Sequence, residues 1–129
     1  MVIQFSNKEG KTEVRLEEQR RFSVQSKEVI EFKMEIQHHP FTVEMPLDVY
    51  HSEIESFQRE IEEMKCFHSY EAYLVSFYND NAFHLVMDSS GHINANASIS
   101  AGSRGSLKFT FEFDQSFLDR IIDSDDLNG

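Results

Sequence analysis

The 129-residue chain carries 23 acidic against 12 basic residues, a formal net charge of −11 with histidine neutral, and twelve phenylalanines within a 40% hydrophobic content. That much apolar material excludes a disordered chain and suffices for one domain's core without disulfides or structural metal. The negative field repels phosphate backbones and anionic lipid heads, which argues against nucleic-acid or membrane partners and for a basic protein partner.

Cys66 is the only cysteine, so an intramolecular disulfide is impossible and a reducing compartment fits best. Residues 1–9, MVIQFSNKE, lack the basic and apolar regions of a secretory leader. No apolar run approaches the roughly 20 residues of a membrane span. The expected location is therefore the cytoplasm.

Period-two alternation dominates the chain. Val2–Ser6 and Thr12–Glu17 read as strands joined by the turn Asn7-Lys8-Glu9-Gly10. Ile30, Phe32, Met34 and Ile36 face one way while Glu31, Lys33, Glu35 and Gln37 face the other, and Phe41–Glu44 follows as a further strand. The spacing then changes. Tyr50, Ile54, Phe57, Ile61 and Met64 share one helix face, with Asp48 after Pro46 as the expected N-cap.

From residue 70 to 113 the chain reads as a four-stranded meander. Tyr70–Phe77 and Phe83–Met87 flank Asn79-Asp80-Asn81, and Asp88-Ser89-Ser90-Gly91 leads into the alternating Ile93, Ala95, Ala97 and Ile99. The loop Ala101–Gly105 then leads to Leu107, Phe109, Phe111 and Phe113, of which Phe109 and Phe111 are expected in the core. Phe117, Leu118, Ile121 and Ile122 form the stripe of a short C-terminal helix capped by Asp114 or Ser116, before an acidic tail that should fray. The expected fold is α+β: a single two-layer domain over residues 1–129, with an antiparallel sheet of about 7–8 strands. One long amphipathic helix and the short C-terminal helix complete it.

Catalytic constellations are missing from this reading. Adjacent His38 and His39 point to opposite faces of a strand, and His51, His68, His84 and His92 show no metal-ligand spacing. Cys66 stands at the negative end of the helix dipole beside Glu62 and Glu63, the setting of a buried structural thiol and not of an activated nucleophile. The loop Gly102-Ser103-Arg104-Gly105-Ser106 runs into a strand, whereas a phosphate cradle should run into a helix N-terminus. No catalytic residue, cofactor or metal is expected. Candidate partner-binding residues are acidic: Glu53, Glu60 and Glu63 on the long helix, and Asp123, Asp125 and Asp126 in the tail.

Phe57-Gln58, Phe67-His68-Ser69-Tyr70-Glu71, Gly91-His92-Ile93 and Leu107-Lys108-Phe109-Thr110-Phe111-Glu112-Phe113-Asp114-Gln115-Ser116-Phe117-Leu118 occur in that order. The pattern, within residues 57–118, resembles the WapI-type immunity proteins, small bacterial proteins encoded beside polymorphic toxins of contact-dependent competition. Asp114-Gln115-Ser116 carries most of it, and the N-terminal half, with Arg20-Arg21, contributes nothing. The resemblance implies a non-catalytic protein that neutralises a cognate toxin by binding it, and an acidic inhibitor suits a basic nuclease toxin. Two other readings stand beside it: an oligomeric adaptor working through a sheet edge, and a small enzyme with a dispersed site.

Overall fold

The computed structural model describes residues 1–6, 12–77, 81–100, 105–120 and 122–123. Alternation sets the first half. Strands β1 (Val2–Ser6), β2 (Thr12–Val24), β3 (Lys27–His38) and β4 (Phe41–Tyr50) pair antiparallel in sequence order. Ile3, Phe5, Val14, Leu16, Phe32 and Met34 are buried, while the residues between them stay half-exposed or exposed. β2 runs well past Glu17 through a bulge between Glu18 and Arg20, then turns at Gln25 and Ser26, both at positive φ (50° and 68°). Two positive-φ residues are what a tight two-residue hairpin requires.

β4 also runs longer than the alternation at Phe41–Glu44 suggests. Leu47 and Val49 continue the buried face to the end of the strand, so Asp48 lies within β4 and is not the helix N-cap. Tyr50 holds the cap position in extended conformation and makes no side-chain cap bond. Pro46, which cannot donate to a ladder, sits on this edge strand opposite Lys33.

Helix α1 (His51–Lys65) buries Ile54, Phe57, Ile61 and Met64, four of the five residues of the expected stripe, while Tyr50 stands half-buried at the cap position. It leads into β5 (Glu71–Val75), β6 (Asn81–Met87), β7 (His92–Ser100) and β8 (Ser106–Asp114), which form the expected meander.

The strands do not join one sheet of 7–8. They divide into a five-stranded sheet, order β4-β3-β2-β1-β9, and a four-stranded sheet, order β5-β6-β7-β8. Four buried helix residues cannot cover the apolar face of so many strands; side chains of both sheets share one core, and the helix packs chiefly against β5. Phe5 marks the junction. Its ring centroid lies 5.0 Å from Phe83, 6.1 Å from Phe111 and 6.2 Å from Phe57, joining both sheets and α1 in one core. At one corner the Phe77 N–H donates to the Asp48 carbonyl at 2.7 Å, and the Tyr50 and Phe77 rings lie 5.1 Å apart.

The short C-terminal helix is also corrected. Gln115–Arg120 forms a 3-10 helix, after which Ile122–Asp123 (β9) returns to pair with Val2 and Ile3 of β1. Leu118 is buried, as its place in the stripe required. The turn at residues 7–10, Asn79 and Asp80, Ala101–Arg104, the Phe117 side chain, Ile121, Asp125 and Asp126 lie outside the described residues.

Candidate interaction site at the end of the helix

α1 ends in a two-bond closure. The His68 N–H donates to the Glu63 carbonyl at 2.9 Å and the Phe67 N–H to the Met64 carbonyl at 3.1 Å. This is the Schellman arrangement, whose penultimate residue is usually glycine because it must take a left-handed conformation. Phe67 holds that position at φ +56°, with 40% of its surface exposed. Its ring meets that of Tyr70, 44% exposed, edge-on at 6.4 Å.

Gln115 fixes this junction from across the chain. Its side-chain amide donates to the carbonyls of Lys65 (2.9 Å) and Met64 (3.3 Å), and its backbone N–H donates to the Gly91 carbonyl at 2.8 Å. Gly91 sits at φ +89°, and a Cβ there would stand 3.3 Å from Gln115 Cβ and 3.7 Å from Phe67 Cζ. The turn before it is held by Asp88, whose carboxylate accepts from Ser90 Oγ (2.6 Å), Ser90 N (2.9 Å) and His92 N (3.0 Å). The Ser90 hydroxyl bond, followed by the His92 amide, pulls the Asp88 carboxyl below its ordinary range. The segments at Phe67, Gly91 and Gln115 noted in the sequence thus converge on one place.

The acidic candidates are placed differently from one another. Glu60 is half-buried and its carboxylate accepts the Tyr73 N–H of edge strand β5 at 3.2 Å. Glu53 is half-buried and Glu63 exposed. Neighbouring carboxylates on α1 are engaged locally, Glu62 with Lys65 and Glu55 with His51, each at 2.8 Å. Asp123 lies in β9, with its backbone opposite Val2. The fold therefore puts Glu60 on the β5 side of the helix and Glu63 at its end.

Several carboxylates elsewhere have a basic neighbour. On the outer face of the five-stranded sheet, Lys33 lies 3.2 Å from Glu35 and 3.8 Å from Glu44, and Arg20 lies 3.2 Å from Glu31. Arg21 bridges Glu18 and Glu28, and its bond to Glu18 holds that carboxyl below the usual range. Asp48 differs. Burial first, then the charge of Glu31, raises its carboxyl, and Oδ1 is buried without a hydrogen-bond partner among the described residues.

Sequence reading missed a polar cluster on the outer face of the four-stranded sheet. Tyr73 and His84, paired across β5 and β6, stack at 4.2 Å with planes 10° apart. Glu71 Oε1 stands 3.5 Å from His84 Nε2, outside hydrogen-bond geometry, and that nitrogen is buried without a hydrogen-bond partner among the described residues. Partial burial and the Glu71 charge raise the Tyr73 phenol. Alternation along β5 puts Glu71 and Tyr73 on one face, and the cross-strand register adds His84.

Cys66 is exposed, against the expected buried thiol. Two residues beyond Met64 is about 200° around a helix, which turns it away from the core. His38 Nδ1 lies 2.6 Å from Thr12 Oγ1, and among the described residues no group of three or more His, Cys, Asp or Glu is placed to hold a metal ion. Nor is any helix among them long and apolar enough to cross a membrane.

Among the described residues, two antiparallel sheets, one α-helix and a 3-10 turn define a β-rich α+β protein. The chain belongs to the immunity protein WapI-like family, which matches residues 3–126. The match takes in the N-terminal half as well, beyond the residues 57–118 that carried the resemblance. No curated protein and no solved structure gives a significant match.

Proposed function

We propose that the protein is a non-catalytic immunity protein that acts in the cytoplasm by binding and neutralising a cognate toxin domain with a basic surface. The family match over residues 3–126 carries this reading. The net charge of −11 supports the basic character of the partner, since such a field steers a cationic protein and raises its association rate. The carboxylates proposed for contact are Glu53 and Glu63 on the helix, with Asp123, Asp125 and Asp126 as a second acidic group. Glu60 serves the fold first, through Tyr73.

The test is protection in cells. The toxin domain encoded beside this gene is induced with and without the full chain. Growth rescued by the chain, together with recovery of a one-to-one complex, is the expected result. Undiminished killing in the presence of folded chain contradicts the reading.

A further inference from the structure

Of the large hydrophobic residues described, three are exposed, and two of them, Phe67 and Tyr70, touch each other at the end of α1. Phe67 adopts a conformation in which glycine would fold with less strain, and although its ring reaches toward Gly91, 40% of its surface stays open to a partner. The Gln115 bonds to the last helix carbonyls and the His68–Glu63 closure hold the pair in place, so little order remains to be lost on binding.

Carboxylates outnumber cations in the segment that carries the rings. The negative end of the helix dipole lies here, Glu63 is exposed, and Glu71 follows Tyr70 directly with 54% of its side chain exposed, its carboxylate also lying near Tyr73 and His84. The nearby cation Lys65 is drawn to Glu62. Aromatic faces beside carboxylates suit a guanidinium, which stacks on a ring while its edge donates two parallel bonds to a carboxylate. An ammonium has no flat face to stack.

We propose that Phe67 and Tyr70, flanked by Glu63 and Glu71, form the docking surface for an arginine-bearing segment of the partner protein. This rests on the immunity reading for the partner's existence, and on the geometry above for its chemistry.

The probe is a synthetic hexa-arginine peptide titrated into the isotope-labelled full chain and followed by amide shifts, with hexa-lysine of equal charge as control. The expected shifts centre on residues 63–71, with arginine binding several-fold tighter than lysine. Tyr70→Ala should weaken the arginine peptide roughly tenfold, as removal of a central aromatic anchor does. Phe67→Gly should weaken it several-fold while its melting temperature stays level or rises, an outcome that separates docking from folding. Shifts centred elsewhere, equal affinity for both peptides, or unchanged binding by both variants would overturn the surface. So would a self-associated chain whose dimer is lost in Tyr70→Ala, which makes the occupant a second copy. In the protection assay, full rescue by wild type and both variants alike sinks the surface alone. Failure of the wild-type chain sinks the immunity reading, and the peptide map still decides the surface.

Discussion

Removing the Gln115 amide tests how the two ends of the fold are tied. In Gln115→Ala the carbonyls of Met64 and Lys65 lose donors at 3.3 and 2.9 Å, while the backbone bond to Gly91 is kept. A net contribution near 1 kcal/mol per hydrogen bond gives a loss of about 2 kcal/mol, more if water cannot reach the partly buried carbonyls. For a chain of this length that corresponds to a fall of roughly 6–10 °C in melting temperature. Gln115→Glu should be worse at neutral pH, because a carboxylate then faces the negative end of the helix. Its folded-state pKa would be raised above the unfolded value, so its stability relative to wild type is best below the unfolded pKa and falls as pH rises through the folded one. Thermal melts at pH 4 and pH 7, with hydrogen exchange at the Phe67 and His68 amides, read both effects. A Gln115→Ala protein that melts with wild type and protects those amides equally would refute the tie.

Phe111→Ala should cost about 3–5 kcal/mol in chemical denaturation, and Phe109→Ala less, because Phe111 is buried and Phe109 only partly so; equal losses would contradict the observed facing. Gly91→Ala should destabilise by about 1–3 kcal/mol through its positive φ and the close Gln115 Cβ, and a neutral result by the same assay would show that the turn relaxes. Asp48 has a raised folded pKa, so its ionisation opposes folding: its stability is full below the unfolded value, near 3.8, and declines as pH rises through the folded value. Asp48→Asn should therefore stabilise the protein at pH 7 relative to pH 3, and an equal effect at both would refute the assignment. Cys66 should react with a thiol reagent in the native state nearly as fast as in denaturant, and protection would mean it is covered.

The strands and the helix stripe were legible because burying one face imposes period two or period 3.6 on apolar residues, as at Ile30–Ile36 and Ile54–Met64. The division into two sheets was not, since a one-sided strand looks alike whether a helix or another sheet covers it. The stretch from Glu18 to Val24 hid for another reason. It is an exposed polar ribbon held by β3 pairing and by Arg21 and Arg20 contacts to Glu28 and Glu31, none of which creates alternation. Leu47 and Val49 did carry the signal that extends β4, but Pro46 and Asp48 together imitate a helix start. At the candidate site, Gln115 was visible as a motif residue, yet its partners lie 50 and 51 residues away. Phe67 gave no sign of its left-handed turn because no glycine marks it.

The central claim is a charge-steered complex with a toxin domain. The most direct measurement is stopped-flow association of the full chain with the toxin domain encoded beside its gene, across salt concentration. Screening contracts the protein's field from about 30 Å at 0.01 M salt to about 8 Å at 0.15 M. The account predicts a tight one-to-one complex whose association slows by roughly tenfold or more over that range, with dissociation changing much less. An association rate indifferent to salt would remove the role assigned to the acidic field, and no complex at any salt would contradict the account itself.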